Sequence, residues 1–514
     1  MYASMAVTAL GLVAGGQAAA ATITPSTLAE LATVDERFQS YNVEMAEVIG
    51  GDFWKPYAAR KPKTATKPIA TFEIGKDPAM FEKRAPIDLA NARLRKLAAA
   101  LGPAYVRVSG TWANSVFFQN TDETNAAIPP KGFQSVLTRS EWQRVFDFAR
   151  VANAEVMTSF AISDGVRDAA GLWTSRRAKA LLDYTKSIGE TITAAEFFNE
   201  PSFAAIGGAP KGYNAEDYAR DFDVFRSFAK AAAPNMLIVG PGSVGEGITL
   251  MPGSLLPTSD LLAASPRPQF DVFSYHSYAA ASQRCTPEGA AGTSADAALS
   301  EAWLSRPEQI YAFYVSLRDR FEPDKPIWIT ETADAACGGN PWASTFLDSF
   351  RYVDQLGRLA KHGVKAIFHN TLASSDYGLL DQSTFMPRPD YWAALLWRRF
   401  MGTTVLDAGN SPSRLHLYAQ CLRGQPGGVA LLAINLDKSN PQSIDLSLPA
   451  ERFTLTAANL NDGRVMLNGK TLALAADDGL PALNGIPADK GRVEFAPESI
   501  TFLAIANAQN NRCN

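Results

Sequence analysis

Between Phe38 and about residue 402, short apolar runs alternate with stretches of helical periodicity, and no other feature constrains the fold as tightly. The strand-like runs are 40–45, 104–110, 155–162, 195–200, 236–242, 270–276, 326–332 and 364–370. Helical patterns occupy 88–101, 140–153, 173–188, 215–233, 306–321 and 344–362. In the second of these, Trp142, Val145, Phe146, Phe148 and Ala149 share one face. Strands joined through helices pair in parallel, because a parallel pair needs a long crossover. Repeated about the chain, that unit closes into a (β/α)8 TIM barrel, expected over residues 37–402.

Beyond Gly402 the helical period disappears. Runs such as 415–421, 427–436 and 499–507 are separated by turn sequences, among them Asn461-Asp462-Gly463 and Asn468-Gly469. This predicts an all-β sandwich over 403–514, to which residues 23–36 contribute a strand.

Residues 1–22 hold a short apolar run leading into Gln17-Ala18-Ala19-Ala20-Ala21, with no charge before Glu30. The stretch reads as a signal peptide or, on the alternative, as an Ala-rich tail. A signal peptide places the protein outside the cytoplasm, secreted or periplasmic. No segment approaches the run of apolar residues that a spanning helix needs, so membrane insertion is not expected. Export permits the four cysteines to form two disulfides, for which three connectivities exist.

A net charge of −4 and a pI near 5.8 leave no basic surplus, which argues against nucleic acid as a partner. The four histidines, at 276, 362, 369 and 416, show no metal-ligand spacing. Gly240-Pro241-Gly242-Ser243-Val244-Gly245 matches a dinucleotide-binding fingerprint in letters only. No amphipathic helix opens there and no acidic residue ends a following strand, so it is read as a tight loop.

In a parallel barrel, working residues sit where strands end at the C-terminal face. Glu200 closes the fourth run and Glu331 the seventh. A carboxylate finishing an apolar strand is costly unless it has a partner or a task. Either Glu alone could be a salt-bridged barrel residue; two of them match the pair of carboxyls that glycoside hydrolysis requires. Asn199 adds an amide suited to a sugar hydroxyl. His276 and Tyr278 end the sixth run beside Glu331, placed to orient it or simply to pack at the rim. Arg107, on the second, needs a carboxylate partner, for which Glu331 is available. This chemistry requires no metal and no cofactor.

Several stretches together resemble the heparanase-like glycoside hydrolases of family 79: 101–118, 197–203, 237–245, 329–364, 376–406 and the tail from 465 to 514. The resemblance implies a retaining hydrolase of β-D-glucuronides, with Glu200 as acid/base and Glu331 as nucleophile. It implies that the glucuronate carboxylate is held by backbone N–H groups of Cys337, Gly338 and Gly339 and by Tyr377. Cys337 stands where the family carries glycine. Asn199 matches a sugar-hydroxyl ligand, and Glu44 falls near an acidic substrate-binding position. The family-like terminal cysteine leads to the expected bridges Cys421–Cys513 and Cys285–Cys337. Two departures stand out. The chain passes quickly from 118 to its next helix where mammalian members have an excised linker, and it lacks clustered Lys/Arg for sulfated chains. The expected partner is a glucuronic-acid-containing saccharide or glycoconjugate. The rivals are a related retaining glycosidase acting on neutral β-linked sugars and a carbohydrate-binding protein without turnover.

Overall fold

The computed structural model describes residues 21–57, 78–123, 127–248, 255–285, 292–409 and 414–514, so most of the leader stretch lies outside it. Eight parallel strands close into a barrel in sequential order. They are β1 (Gln39–Asn42), β2 (Ala104–Val108), β3 (Ala154–Ser159), β4 (Ala194–Glu196), β5 (Leu237–Ser243), β6 (Val272–Tyr278), β7 (Ile327–Ala333) and β8 (Ala366–His369). The helices that follow them are α1 (Ala92–Leu101), α2 (Arg139–Val151), α3 (Arg176–Ser187), α4 (Ala215–Ala232), α5 (Thr258–Ala263), α6 (Arg306–Phe321), α7 (Phe346–Lys361) and α8 (Pro389–Phe400).

Local sequence sets the helix starts. Thr138 accepts from the Glu141 N–H at 3.3 Å while the Glu141 carboxylate takes the Thr138 N–H at 2.8 Å, a capping box that opens α2. Asn214 and Asp217 do the same for α4. Helix α8 is absent from the sequence expectation because PDYWAALLWRRF is apolar nearly all round, which hides its period. It is buried against α7, itself buried on every side except at its last residue. The excess burial arises because these two helices lie between the barrel and the β-domain.

The inside of the barrel is layered. Tyr105, Met157, Val239, Val272, Trp328 and Phe368 close its lower end. Two residues higher on the same faces, polar groups replace them: Arg107 on β2, Glu196 on β4, Ser274 on β6 and Thr330 on β7.

After α8 the chain is all strand: β9 (Met401–Leu406), β10 (Leu415–Leu422), β11 (Val429–Asn435), β12 (Gln442–Leu446), β13 (Ala450–Thr456), β14 (Gly491–Phe495) and β15 (Ser499–Ile505), with three very short strands between β13 and β14. Two come from the N-terminal side. Ala21–Ile23 pairs in parallel with β12, and Glu30–Thr33 pairs with β9. Ala21 and Thr22, assigned to the leader from sequence, are therefore strand residues whose backbone is taken up by β12. The three-stranded and nine-stranded sheets enclose a core that includes Leu417, Leu431, Ile444 and Phe495. The other face of the large sheet packs on α7 and α8, where Phe400 meets Phe453 at 4.5 Å between ring centroids. Gly357 of α7 allows this approach, since a Cβ there would lie 2.4 Å from the Tyr418 ring. Asp354 of α7 ties the large sheet down by accepting from the Tyr418 hydroxyl and from His416 Nδ1, both at 2.6 Å.

Cys421 is bonded to Cys513, and Cys285 to Cys337. The first bridge fixes the tail to β10. The second joins the loops that follow β6 and β7.

Candidate active site

A cleft of about 670 Å³ opens over the C-terminal ends of the strands. Glu331 reaches it through a break in pairing. The β6–β7 register passes from Tyr275↔Ile329 to His276↔Glu331, leaving Thr330 as an extra residue on β7. Thr330 and Glu331 thereby both turn inward, against strict alternation. The Thr330 hydroxyl donates to Glu196 Oε1 at 2.6 Å, and Glu331 stands above it in the cleft.

Glu200 arrives differently. The sequence places it at the end of a strand spanning 195–200, but β4 stops at Glu196. Phe197 and Phe198 both enter the outer core: Phe197 stacks on Phe225 at 5.0 Å, and Phe198 lies 5.9 Å from Tyr213. Two successive side chains on one side cannot belong to a strand, so the chain leaves the sheet. Glu200 adopts left-handed backbone angles, φ 52° and ψ 64°, before a 3-10 turn at Pro201–Phe203. That conformation costs a non-glycine residue roughly 1–2 kcal/mol. Asn114 holds it: its Oδ1 accepts from the Asn199 N–H at 2.9 Å, and its Nδ2 donates to Asn199 O at 2.9 Å and Gly207 O at 2.7 Å.

Glu200, Glu331 and His276 each place one polar atom within 4.8 Å of the others. His276 Nδ1 is 3.0 Å from Glu200 Oε1 and 3.6 Å from Glu331 Oε2, and its Nε2 faces Glu196 Oε1 at 3.7 Å. Burial disfavours charge on the imidazole, and Arg107 at 3.3 Å opposes it further. The three carboxylates prevail and push His276 up to about 9. Its nitrogens then carry protons instead of lone pairs, which suits hydrogen bonding to carboxylates better than ligation of a cation. Burial, together with the charge of Glu331, raises Glu200 above the usual carboxylate range despite the hydrogen bond from His276. Beneath them Arg107, fully buried, donates to Glu196 at 2.7 Å, to Glu331 Oε2 at 3.0 Å and to Asn199 Oδ1 at 2.8 Å. Against the cost of burial, Arg107 holds Glu196 down at about 2. The other oxygen of Glu331 accepts from the Tyr278 hydroxyl and, at 3.4 Å, from Asn370 Nδ2.

After β7, the chain runs through three left-handed residues, Cys337, Gly338 and Gly339, with φ of 64°, 84° and 86°. Their carbonyls are anchored: Ser375 Oγ donates to Gly338 O at 2.9 Å and Ser282 Oγ to Gly339 O at 2.6 Å. Among the described residues, none accepts from the N–H groups of these three. Close by, Tyr377 receives a bond from Asn370 at 3.3 Å. Glu44 completes this side, its carboxyl raised well above the ordinary range by burial and by Glu331. It fits because residue 110 is glycine, at φ 91°, where a Cβ would stand 1.5 Å from Glu44 Oε2.

Of the residues singled out from sequence, Glu44, Glu200, Tyr278, Glu331, Cys337 and Tyr377 line the cleft. Asn199, His276 and Arg107 lie one layer below, with 1% or less exposed. Arg107 therefore acts through carboxylates, and its principal partner is Glu196 instead of Glu331 alone. Sequence reasoning passed over Glu196, Asn114 and Asn370. Asn370 directly follows β8, so the strand-end argument that selected Glu331 also reaches it.

A family model described as "Glycosyl hydrolase family 79, N-terminal domain" matches residues 83–357. The chain is 27% identical to Heparanase-like protein 1 of Arabidopsis thaliana, covering 83% of this chain and 86% of the relative. It is 25% identical to the Hyaluronoglucuronidase of Hirudo nipponia, covering 83% and 92%. Among solved structures, a 4-O-alpha-L-rhamnosyl-beta-D-glucuronidase from Fusarium oxysporum shares the fold, with TM-score 0.61 at 13% identity over 95% of this chain and 99% of that one.

Proposed function

Since the chain belongs to glycosyl hydrolase family 79 and is a glycoside hydrolase, we propose that it cleaves β-D-glucuronides with retention, by double displacement. The observation that carries this reading is the spacing of Glu200 and Glu331, which have carboxyl oxygens within 4.8 Å of each other across His276. Retention needs carboxyls about 5–5.5 Å apart, whereas inversion needs roughly 6.5–9.5 Å to admit a water between them.

In the first step Glu331 attacks the anomeric carbon. Arg107, Tyr278 and Asn370 bind its two oxygens and fix the lone pair that forms the new bond. Glu200, whose protonated form is favoured by burial and by the charge of Glu331, gives its proton to the glycosidic oxygen as the bond breaks. The His276 bond to Oε1 leaves the other oxygen of Glu200 free for this transfer. Once Glu331 is esterified its charge is gone, so Glu200 loses a proton more readily and serves as base for the attacking water. The substrate carboxylate is assigned to Tyr377 and to the unpartnered N–H groups at 337–339, of which Cys337 lines the cleft while Gly338 and Gly339 lie behind its lining; a run of amides binds an anion without a side-chain cation. Glu44, whose burial beside Glu331 favours the protonated form, is assigned to a sugar hydroxyl. The name of the leech relative, a hyaluronoglucuronidase, supports a glucuronate glycone. The two disulfides support a secreted or periplasmic location.

The test is proton NMR of the first-formed product from 4-nitrophenyl β-D-glucuronide, run beside the matching β-glucoside. The β-anomer with strong preference for the glucuronide is expected. An α-anomer removes the retaining assignment, and equal rates favour a hydrolase of neutral sugars. No turnover of any glycoside leaves a carbohydrate-binding protein.

A further inference from the structure

We infer that the leaving-group side of the cleft is built for a neutral apolar aglycone, of aryl or arylmethyl type, and not for an anionic sugar chain; this rests on the reading of Glu200 as the acid/base. Glu331 must meet the anomeric carbon and Glu200 the glycosidic oxygen. The aglycone therefore lies on the Glu200 side, framed by the loops after β2, β4 and β5. That wall is formed by Phe203, Ile206 and Val244, with Gly207 and Gly208 between them. Ile206 is 55% exposed.

This apolar wall is rigidly mounted. Asn114, which fixes Glu200, also binds Gly207 O. Ser202 Oγ donates to Val244 O at 3.0 Å and accepts from Val244 N at 2.9 Å, locking the adjoining loop. An aliphatic side chain held in water beside a catalytic acid gains free energy once a ligand covers it. The polar side chains on this wall other than Glu200, such as Ser115 and Gln134, are uncharged. Among the described residues, no Lys or Arg lines the cleft, whereas Glu44, Asp52, Glu200 and Glu331 do. A sulfated or carboxylated aglycone would find no lysine or arginine to pair with among these described lining residues.

The experiment compares benzyl and methyl β-D-glucuronides, whose leaving alcohols are nearly equal in acidity, so that kcat/KM reads aglycone contact. The benzyl substrate is expected to be preferred about tenfold, the worth of burying roughly 55 Å² of apolar surface. Ile206→Asp should bring that ratio close to one. Ile206→Lys should raise turnover of glucuronyl-N-acetylglucosamine 6-sulfate relative to the unsulfated disaccharide. Both readouts are ratios on a single protein, so a change in the folded fraction does not move them. A wild-type benzyl-to-methyl ratio near one, or preference for the sulfated disaccharide, overturns the inference. If the corresponding glucosides are turned over instead, the glucuronidase reading fails, and the same ratio on glucosides still decides the aglycone. If neither pair is turned over, both readings fall.

Discussion

Arg107 Nη2 and Glu196 Oε2 meet at 2.7 Å with neither side chain exposed, directly beneath the two carboxyls of the cleft. A buried pair of this kind adds little when intact and is costly to break, because the remaining charge has no solvent. Glu196→Ala is therefore expected to lower unfolding free energy by about 3–5 kcal/mol, read from urea melts. It should also reduce kcat, as Arg107 shifts its bonds toward Glu331. An unchanged melt would show that the pair does not carry the barrel interior.

The two carboxyls should fail in different ways. Glu200→Ala is expected to keep activity on 4-nitrophenyl glucuronide, whose leaving group needs little protonation, then to stall as a glycosyl-enzyme and be rescued by azide. Glu331→Ala should lose on the order of 10⁴-fold in kcat and trap nothing. Intact-mass spectrometry of the two variants under turnover distinguishes them; an adduct on the Glu331→Ala protein would reverse the roles.

Stability should peak on the acid side of neutrality. His276 is raised from 6.5 to about 9, so its contribution is complete below 6.5 and is lost as pH climbs to 9. Glu196 is lowered from 4.5 to about 2, so its contribution is complete above 4.5 and is lost as pH falls toward 2. Glu200 and Glu44, both raised, cost increasingly as pH rises past 4.5. Scanning calorimetry from pH 3 to 10, a range of about 7 units around these values, should give its highest midpoint between about 4.5 and 6.5. The alkaline decline should be shallower in His276→Gln.

The two disulfides should separate in their effects. They close 52 and 92 residues of sequence, and chain entropy assigns them about 4–5 kcal/mol apiece. Replacing Cys421 and Cys513 by Ser should lower Tm with KM unchanged. Replacing Cys285 and Cys337 should lower Tm and also raise KM for glucuronides, because Cys337 begins the left-handed run beside the cleft. Equal KM in both double variants would remove the bridge from substrate binding.

Gly110→Ala tests the seat of Glu44. The new Cβ meets Glu44 Oε2, and φ 91° strains any L residue, so kcat/KM for glucuronides should fall well beyond the modest loss of stability. Full activity would mean that Glu44 can move aside without consequence.

The alternation of strands and helices made the barrel legible, and Asn468-Gly469 gave a true hairpin between Met466–Leu467 and Lys470–Thr471. What sequence could not convey is how residues break their own pattern. Alternation along IWITE turns either Thr330 or Glu331 inward, not both; only the bulge against β6 admits the two. In AEFFNE the last Glu drew attention as a strand end. The one truly in the strand is Glu196, whose role depends on Arg107, 89 residues earlier. Asn114 lies in a short turn with no periodicity, and its function exists only through contacts with residues 199 and 207. Helix α8 was hidden because burial on all sides erases the polar face by which a helix is recognised.

The two N-terminal strands give the β-domain an unusual history along the chain. Glu30–Thr33 waits for Met401–Leu406, and Asn510 reaches back 485 residues to the carbonyl of Pro25. The barrel is thus an insertion inside the sheet that supports it. No cut near residue 402 yields two intact pieces: one would lose its edge strands, and the other would present α7 and α8 to water as an adhesive surface. The catalytic half cannot be borrowed alone as an engineering scaffold, and a ribosome must finish the whole barrel before the first strands it made find their neighbours.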